Sequence, residues 1–168
     1  MYKRKKWIIL VFITILCFSC EKKQATPPIT YPNNAIIATV NATWMGSTST
    51  YVYTPLSVNF SEGIISIKGI YADNTGGEVL GIYIHAKQVG TYPLSSYNYA
   101  FVEPWSNGSP NSFSFYTDSL YTGTVNLTEF DTINHLIDGT FSFAADMQQP
   151  IRDDGTATVT NGLLKNLT

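Results

Sequence analysis

Apolar residues recur at every second position through most of the chain, which is the period of an extended strand with one face buried. Ile36, Ala38, Val40, Ala42 and Trp44 share one face of the first such segment, with Ile37, Thr39, Asn41 and Thr43 opposite. Ile65, Ile67, Gly69 and Tyr71 alternate with Ser66 and Lys68, and Leu80, Ile82, Ile84 and Ala86 repeat the pattern before Gly90. Between the first two segments, Tyr51 to Tyr53 and Val58 to Phe60 suggest a strand interrupted or edged at Pro55, because proline cannot donate to a ladder. Phe113, Phe115 and Tyr116, then Val125 and Leu127, then Ile137, Phe141, Phe143 and Ala145, and last Ala157 and Val159 continue the series.

Turn chemistry separates these runs: Asp73-Asn74-Thr75-Gly76-Gly77, Asn107-Gly108-Ser109-Pro110, Asp131-Thr132-Ile133-Asn134 and Asp153-Asp154-Gly155 supply residues that tolerate positive φ or preset a bend. Regular strand and turn spacing predicts an all-β domain. The arrangement expected is an antiparallel β-sandwich of about eight or nine strands, with a closed up-and-down, lipocalin-like β-barrel as the alternative.

The N-terminus follows a different rule. Lys3, Arg4, Lys5 and Lys6 precede an uncharged run from Trp7 through Phe18, the order of a secretory signal peptide. The run is about a dozen residues, and a helix spanning the hydrocarbon core needs about 20. Ser19 before Cys20 then resembles the lipobox of bacterial lipoproteins, in which the cysteine receives lipid and becomes the new N-terminus. Residues 1–19 are therefore expected to be a lipoprotein signal peptide, 20–34 a lipidated cysteine with a Pro-bearing flexible linker, and 35–168 the all-β domain. More than one acyl chain on Cys20 makes a lasting membrane anchor, which a single chain does not.

That processing changes the chemistry left in the chain. Of the two cysteines, Cys17 leaves with the signal and Cys20 is capped by lipid, so the mature domain has no disulfide, thiolate nucleophile or thiolate metal site. Removing Lys3, Arg4, Lys5 and Lys6 from ten basic residues leaves six against twelve acidic ones, a net charge near −6. No basic stripe remains to neutralise phosphates, so nucleic acid is not an expected partner.

Several segments in order carry a resemblance: Ala38-Thr39-Val40-Asn41-Ala42-Thr43-Trp44, Gly90-Thr91-Tyr92-Pro93-Leu94, the run from Gly123 to Asp131, Ile137-Asp138-Gly139-Thr140-Phe141-Ser142-Phe143 and Val159-Thr160-Asn161-Gly162. Together they resemble a family of uncharacterised lipoproteins of the Bacteroidota that share a domain of unknown function. The resemblance implies a class and a compartment, the cell envelope, and brings no activity; the expected place is the outer membrane, on either its periplasmic or its surface face.

Candidate chemistry is sparse. His85 and His135 lie far apart in sequence, and His85 falls on the face of its strand opposite Ile82 and Ile84, where a solvent-facing residue belongs. No Gly-x-Ser-x-Gly occurs. Glu129 with Asp131, and Asp153 with Asp154, are carboxylate neighbours of the kind glycoside hydrolysis uses, but both pairs sit at turns. Asp73 to Glu78, and Asp146 with Asp153 and Asp154, offer oxygen ligands without EF-hand spacing.

No catalytic residue, metal or cofactor is expected. The departure from average is aromatic: 11 Tyr, 9 Phe and 3 Trp. The stretch from Tyr97 to Trp105 lacks clear alternation and reads as a loop whose Tyr97, Tyr99 and Trp105 could contact a glycan or an envelope protein, since Tyr and Trp anchor interfaces. The expected function is a membrane-anchored, non-catalytic binding module. The alternatives are a carrier of a small hydrophobic ligand in a barrel cavity, or an envelope polysaccharide hydrolase working through carboxylates such as Glu103 and Glu129.

Overall fold

A computed structural model describes residues 30–43, 46, 48–107, 113–147 and 155–168. Ten strands follow one another: β1 (Ala35–Ala42), β2 (Thr48–Ser61), β3 (Ile64–Ala72), β4 (Gly76–His85), β5 (Gly90–Leu94), β6 (Tyr99–Ser106), β7 (Phe115–Tyr116), β8 (Gly123–Asp131), β9 (Leu136–Met147) and β10 (Thr156–Leu167). All pairings are antiparallel, and the order β10-β1-β2-β3-β4-β6-β7-β9 returns to β10 through a β9–β10 ladder. The result is a closed eight-stranded barrel, with β8 and β5 added beyond β9.

The sandwich expectation is thus corrected in favour of the closed barrel. Alternation is identical in both architectures. What decides between them is the pairing of the first strand with the last, Ala35 opposite Lys165 and Ala42 opposite Ala157, a contact that no local pattern encodes.

Strand count differs for a related reason. One edge of β9 serves two partners, β7 at Asp146 and Met147 and β8 from Leu136 to Phe143. β6 pairs with β7, and β5 pairs with β8. β5 with β6, and β7 with β8, are therefore two broken staves of the wall. Both breaks are held by buried polar side chains. Asn98 accepts from the His85 amide at 2.9 Å and donates to the Pro93 carbonyl at 3.1 Å. Thr117 Oγ1 accepts from the Ala100 amide and donates to the Ser95 carbonyl, each at 3.1 Å. Backbone groups freed where a strand breaks inside a fold need such partners.

β2, expected to be interrupted at Pro55, runs through it, and the register slips between Pro55 and Ser57 instead. A bulge lets the proline sit in the wall without a donor.

Inward positions fill the barrel. Ile36, Ala38, Val40, Ile65, Ile67, Leu80, Ile82, Ile84, Val102, Phe115, Val125, Ile137 and Val159 form one buried cluster, and fully burying a Val, Leu or Ile side chain stabilises by about 1.5–3 kcal/mol. The space in which a carrier would hold its ligand is taken by these side chains. The 62–63, 86–89 and 132–135 turns lie at the end of the barrel where β1 begins and β10 finishes, and the 73–75 turn lies at the other.

Candidate functional site: an aromatic outer wall

Because side chains alternate across a strand, the outward residues of β6 are Tyr99, Phe101, Glu103 and Trp105, while Ala100 and Val102 point into the core. Their neighbours across the β4 ladder are Tyr83, Gly81, Val79 and Gly77. Two of these are glycines, and the aromatics opposite exploit them. A Cβ on Gly81 would stand 2.0 Å from the Phe101 ring, and one on Gly77 would stand 2.5 Å from that of Trp105. Both rings lie flat on bare backbone. Aromatic side chains covering strand glycines in this way seal a wall that the missing side chains would leave thin.

The rings form a continuous surface. Tyr83 stacks on Tyr99 at 4.6 Å between centroids and 15° between planes, Phe101 stacks on Tyr116 at 5.3 Å, and Tyr99 approaches Tyr116 at 6.2 Å. Lys68, from the adjacent β3, places its ammonium 5.7 Å from the Tyr83 ring and 6.0 Å from that of Phe101, within cation–π range. At the upper corner His85 stacks on Tyr97 at 4.0 Å, and its Nδ1 lies 3.1 Å from Asn98 Oδ1. Tyr97 is 68% exposed.

Polar groups edge this surface. Glu103 Oε1 accepts from the Tyr116 hydroxyl at 3.0 Å and from Ser114 at 3.3 Å. Burial, then the hydrogen bond to Glu103, pushes the Tyr116 phenol up to about 12. The hydrogen bond to Tyr83 raises Lys68. Burial acts to raise Tyr83, but bonds to Ser66 and Lys68 together with the lysine charge outweigh it, and the phenol ends below its ordinary value.

Of the three residues expected on a contact loop, Tyr97 lies in the bend between β5 and β6, while Tyr99 and Trp105 stand on β6 itself. Tyr99 and Trp105 belong to a regular strand, whose alternation is masked because both of its faces are apolar. Sequence reasoning missed Tyr83, Phe101, Tyr116 and Lys68 as members of the same surface. The signal available was Gly77 and Gly81 opposite large rings.

The other candidates separate. His135 is a turn residue at φ 56°, packed on Phe60 at 5.2 Å. Asp73 Oδ1 accepts from the Thr75 amide, the Thr75 hydroxyl and the Gly76 amide. Asp131 Oδ1 accepts from the Ile133 and Asn134 amides. The pKa of each is lowered, by the Thr75 bonds for Asp73 and the Asn134 bonds for Asp131. These carboxylates build their own turns.

Glu103 lies opposite Val79 toward one end of the barrel, and Glu129 lies opposite Asp138 beside the turn at the other. They do not form a pair for hydrolysis. Asp146 accepts from the amide of Met147. Cys20, Trp44, Asp153 and Asp154 lie outside the described residues.

A second feature opens beside the 73–75 turn. Glu78, on the inner face of β4, is 4% exposed and takes a hydrogen bond from the fully buried Tyr53 on Oε1. Burial raises Glu78, partly offset by that bond; burial and the carboxylate together raise Tyr53. A recess of about 230 Å³ above them is lined by Tyr51, Tyr71, Asp73, Glu78, Pro104 and Trp105 among others. The Tyr51 and Tyr71 rings sit 4.6 Å apart, and the Tyr71 hydroxyl donates to Asp73 Oδ2 at 3.2 Å.

Compared with known proteins, residues 41–168 match the family model described as Domain of unknown function (DUF6252). No curated protein and no solved structure is matched.

Proposed function

The chain belongs to the DUF6252 family, and from that premise we propose that it is a non-catalytic binding module of the bacterial cell envelope, tethered through lipid on Cys20. Its aromatic wall contacts an envelope glycan, with an envelope protein as the other partner the same surface fits. The observation that carries this reading is the outward surface of Tyr83, Tyr99, Phe101, Trp105 and Tyr116, with Phe101 and Trp105 seated over glycines and Lys68, Glu103 and His85 at the edges. Sugar rings present apolar C–H faces that stack on aromatic planes, and hydroxyls that reach a flanking carboxylate, ammonium or imidazole. Half-buried rings in a contiguous patch of this kind, with the exposed Tyr97 at its corner, mark a surface that a partner covers.

Anchoring is supported by the basic cluster, the short apolar run and the Ser19-Cys20 junction. Outer-membrane placement, on the periplasmic or the surface face, accords with a tether and a partner of that compartment. Mass spectrometry of the mature N-terminal peptide is expected to find Cys20 acylated; an unmodified thiol would overturn the tether.

Binding is tested by presenting envelope polysaccharide fragments and envelope extracts to the mature chain. A saturable partner should bind about tenfold or more weaker to Tyr99→Ala and to Trp105→Ala, because one aromatic anchor carries about 2 kcal/mol. Equal binding by both variants would remove the aromatic wall from the account.

A further inference from the structure

Among the described residues the buried polar side chains are Glu78, Asn98 and Thr117. Asn98 and Thr117 have a structural task, since they satisfy the backbone where the two staves break. Glu78 sits on an unbroken ladder opposite Pro104 and Tyr71, where an aliphatic residue would serve the core better. A buried carboxylate destabilises a fold unless donors or a counter-charge offset its lost hydration. The influences on Glu78 are burial and the Tyr53 hydroxyl, with no cationic side chain among them.

The surroundings share one electrostatic sign. Among the described residues the titratable groups lining the recess are Tyr51, Tyr71, Asp73 and Glu78, with no lysine, arginine or histidine, and Tyr53 lies beneath. Burial raises Tyr51, with Glu78 and Asp73 adding to it; the bond to Asp73 raises Tyr71. An anion has no welcome there. A calcium ion finds too few ligands, because it takes about six to eight oxygens, and no group of three or more His, Cys, Asp or Glu side chains gathers among the described residues. Glu78 Oε1 is held by Tyr53, and Asp73 is engaged by Thr75, Gly76 and Tyr71.

We propose that this recess is a binding site for a small organic cation, an alkylated ammonium group. Glu78 supplies the counter-charge and the Tyr51 and Tyr71 rings, packed 4.6 Å apart between centroids, together form one aromatic side of the site. Aromatic faces attract cations through their quadrupole, and desolvated cages of such rings are the usual receptors for alkylammonium groups. The recess, about 230 Å³ in volume, admits a head group of that size. It stands apart from the outer wall, with which it shares only Trp105, so either site can fail without the other.

The test is titration of the mature chain with tetramethylammonium chloride, read by tyrosine ring resonances, against sodium chloride at matched ionic strength. Saturable shifts at Tyr51 and Tyr71 are expected. Glu78→Gln should weaken binding about tenfold or more, as loss of a buried counter-charge does, while Glu129→Gln at the far end and Tyr99→Ala on the outer wall leave it unchanged. In the unmutated chain, saturating cation should lower the pKa of Glu78, because a nearby positive charge favours the carboxylate. That readout stands even where Glu78→Gln fails to fold. Shifts no larger than those with sodium, equal binding by Glu78→Gln, or an unmoved Glu78 titration would each overturn the site.

Discussion

Two stretches of the barrel wall do the same architectural work with opposite chemistry. Over β8, β9 and β10 the outward positions are Thr124, Asn126, Thr140, Ser142, Thr158 and Thr160, all exposed. Over β4, β6 and β7 they are Tyr83, Tyr99, Phe101, Trp105 and Tyr116. Both walls carry Val, Leu, Ile, Phe or Ala inward in the same period, so closure of the ring does not demand rings outside. A β-branched hydroxyl residue satisfies an outer strand position at least as well. The aromatic wall is therefore an addition to the fold, and its two glycines mark where backbone has been cleared to seat it.

The comparison breaks first on stability. Phe143→Ala, inside the polar wall, should cost about 3–5 kcal/mol in urea unfolding, as buried Phe truncations do. Tyr99→Ala, on the outer face of the aromatic wall and half-buried, should cost about 1–2 kcal/mol, its share of ring stacking and partial burial. If Tyr99→Ala matched Phe143→Ala, the aromatic wall would be structural and its functional reading lost. Thr140→Ala should fall within about 0.5 kcal/mol, the range of surface changes that touch no special feature.

A subtler contrast separates the walls from the interior by pH. The folded pKa of Glu78 is raised, so the folded state holds its proton more tightly than the unfolded chain. The stability this contributes is full below the unfolded glutamate value of about 4.3 and is lost as pH rises through the folded value. Glu78→Gln should remove that decline. The difference in unfolding free energy between unmutated chain and variant should therefore move in the variant's favour from pH 4 upward and level off beyond the folded value. A difference flat with pH would mean that Glu78 is not protonated preferentially in the folded state.

Much of the interior was legible. Ile36 to Ala42, Ile65 to Gly69 and Leu80 to Ala86 alternate with strong contrast, because one neighbour is the core and the other is solvent. The stretch from Tyr99 to Trp105 defeats that rule, since its outward side chains are larger and no more polar than Ala100 and Val102 inside. Size alternation, large outside and small inside, was the remaining signal. Glu78 reads in the sequence as one more oxygen ligand of the Asp73 turn. Counting back by twos from Leu80 would have put it indoors. The barrel itself was illegible from local pattern, because its defining ladder joins residues more than 100 positions apart, as in Ala35 with Lys165.

That ladder has a consequence for assembly. β10 hydrogen-bonds to β1 on one side and to β9 on the other, so the same twelve residues, Thr156–Leu167, act as the keystone of the cylinder. They follow the other nine described strands in the chain, and until they are in place the sheet carries two naked edges able to recruit a stranger's strand. Closure thus waits on one strand, and a variant lacking 156–167 should give a sticky open sheet instead of a slightly smaller barrel.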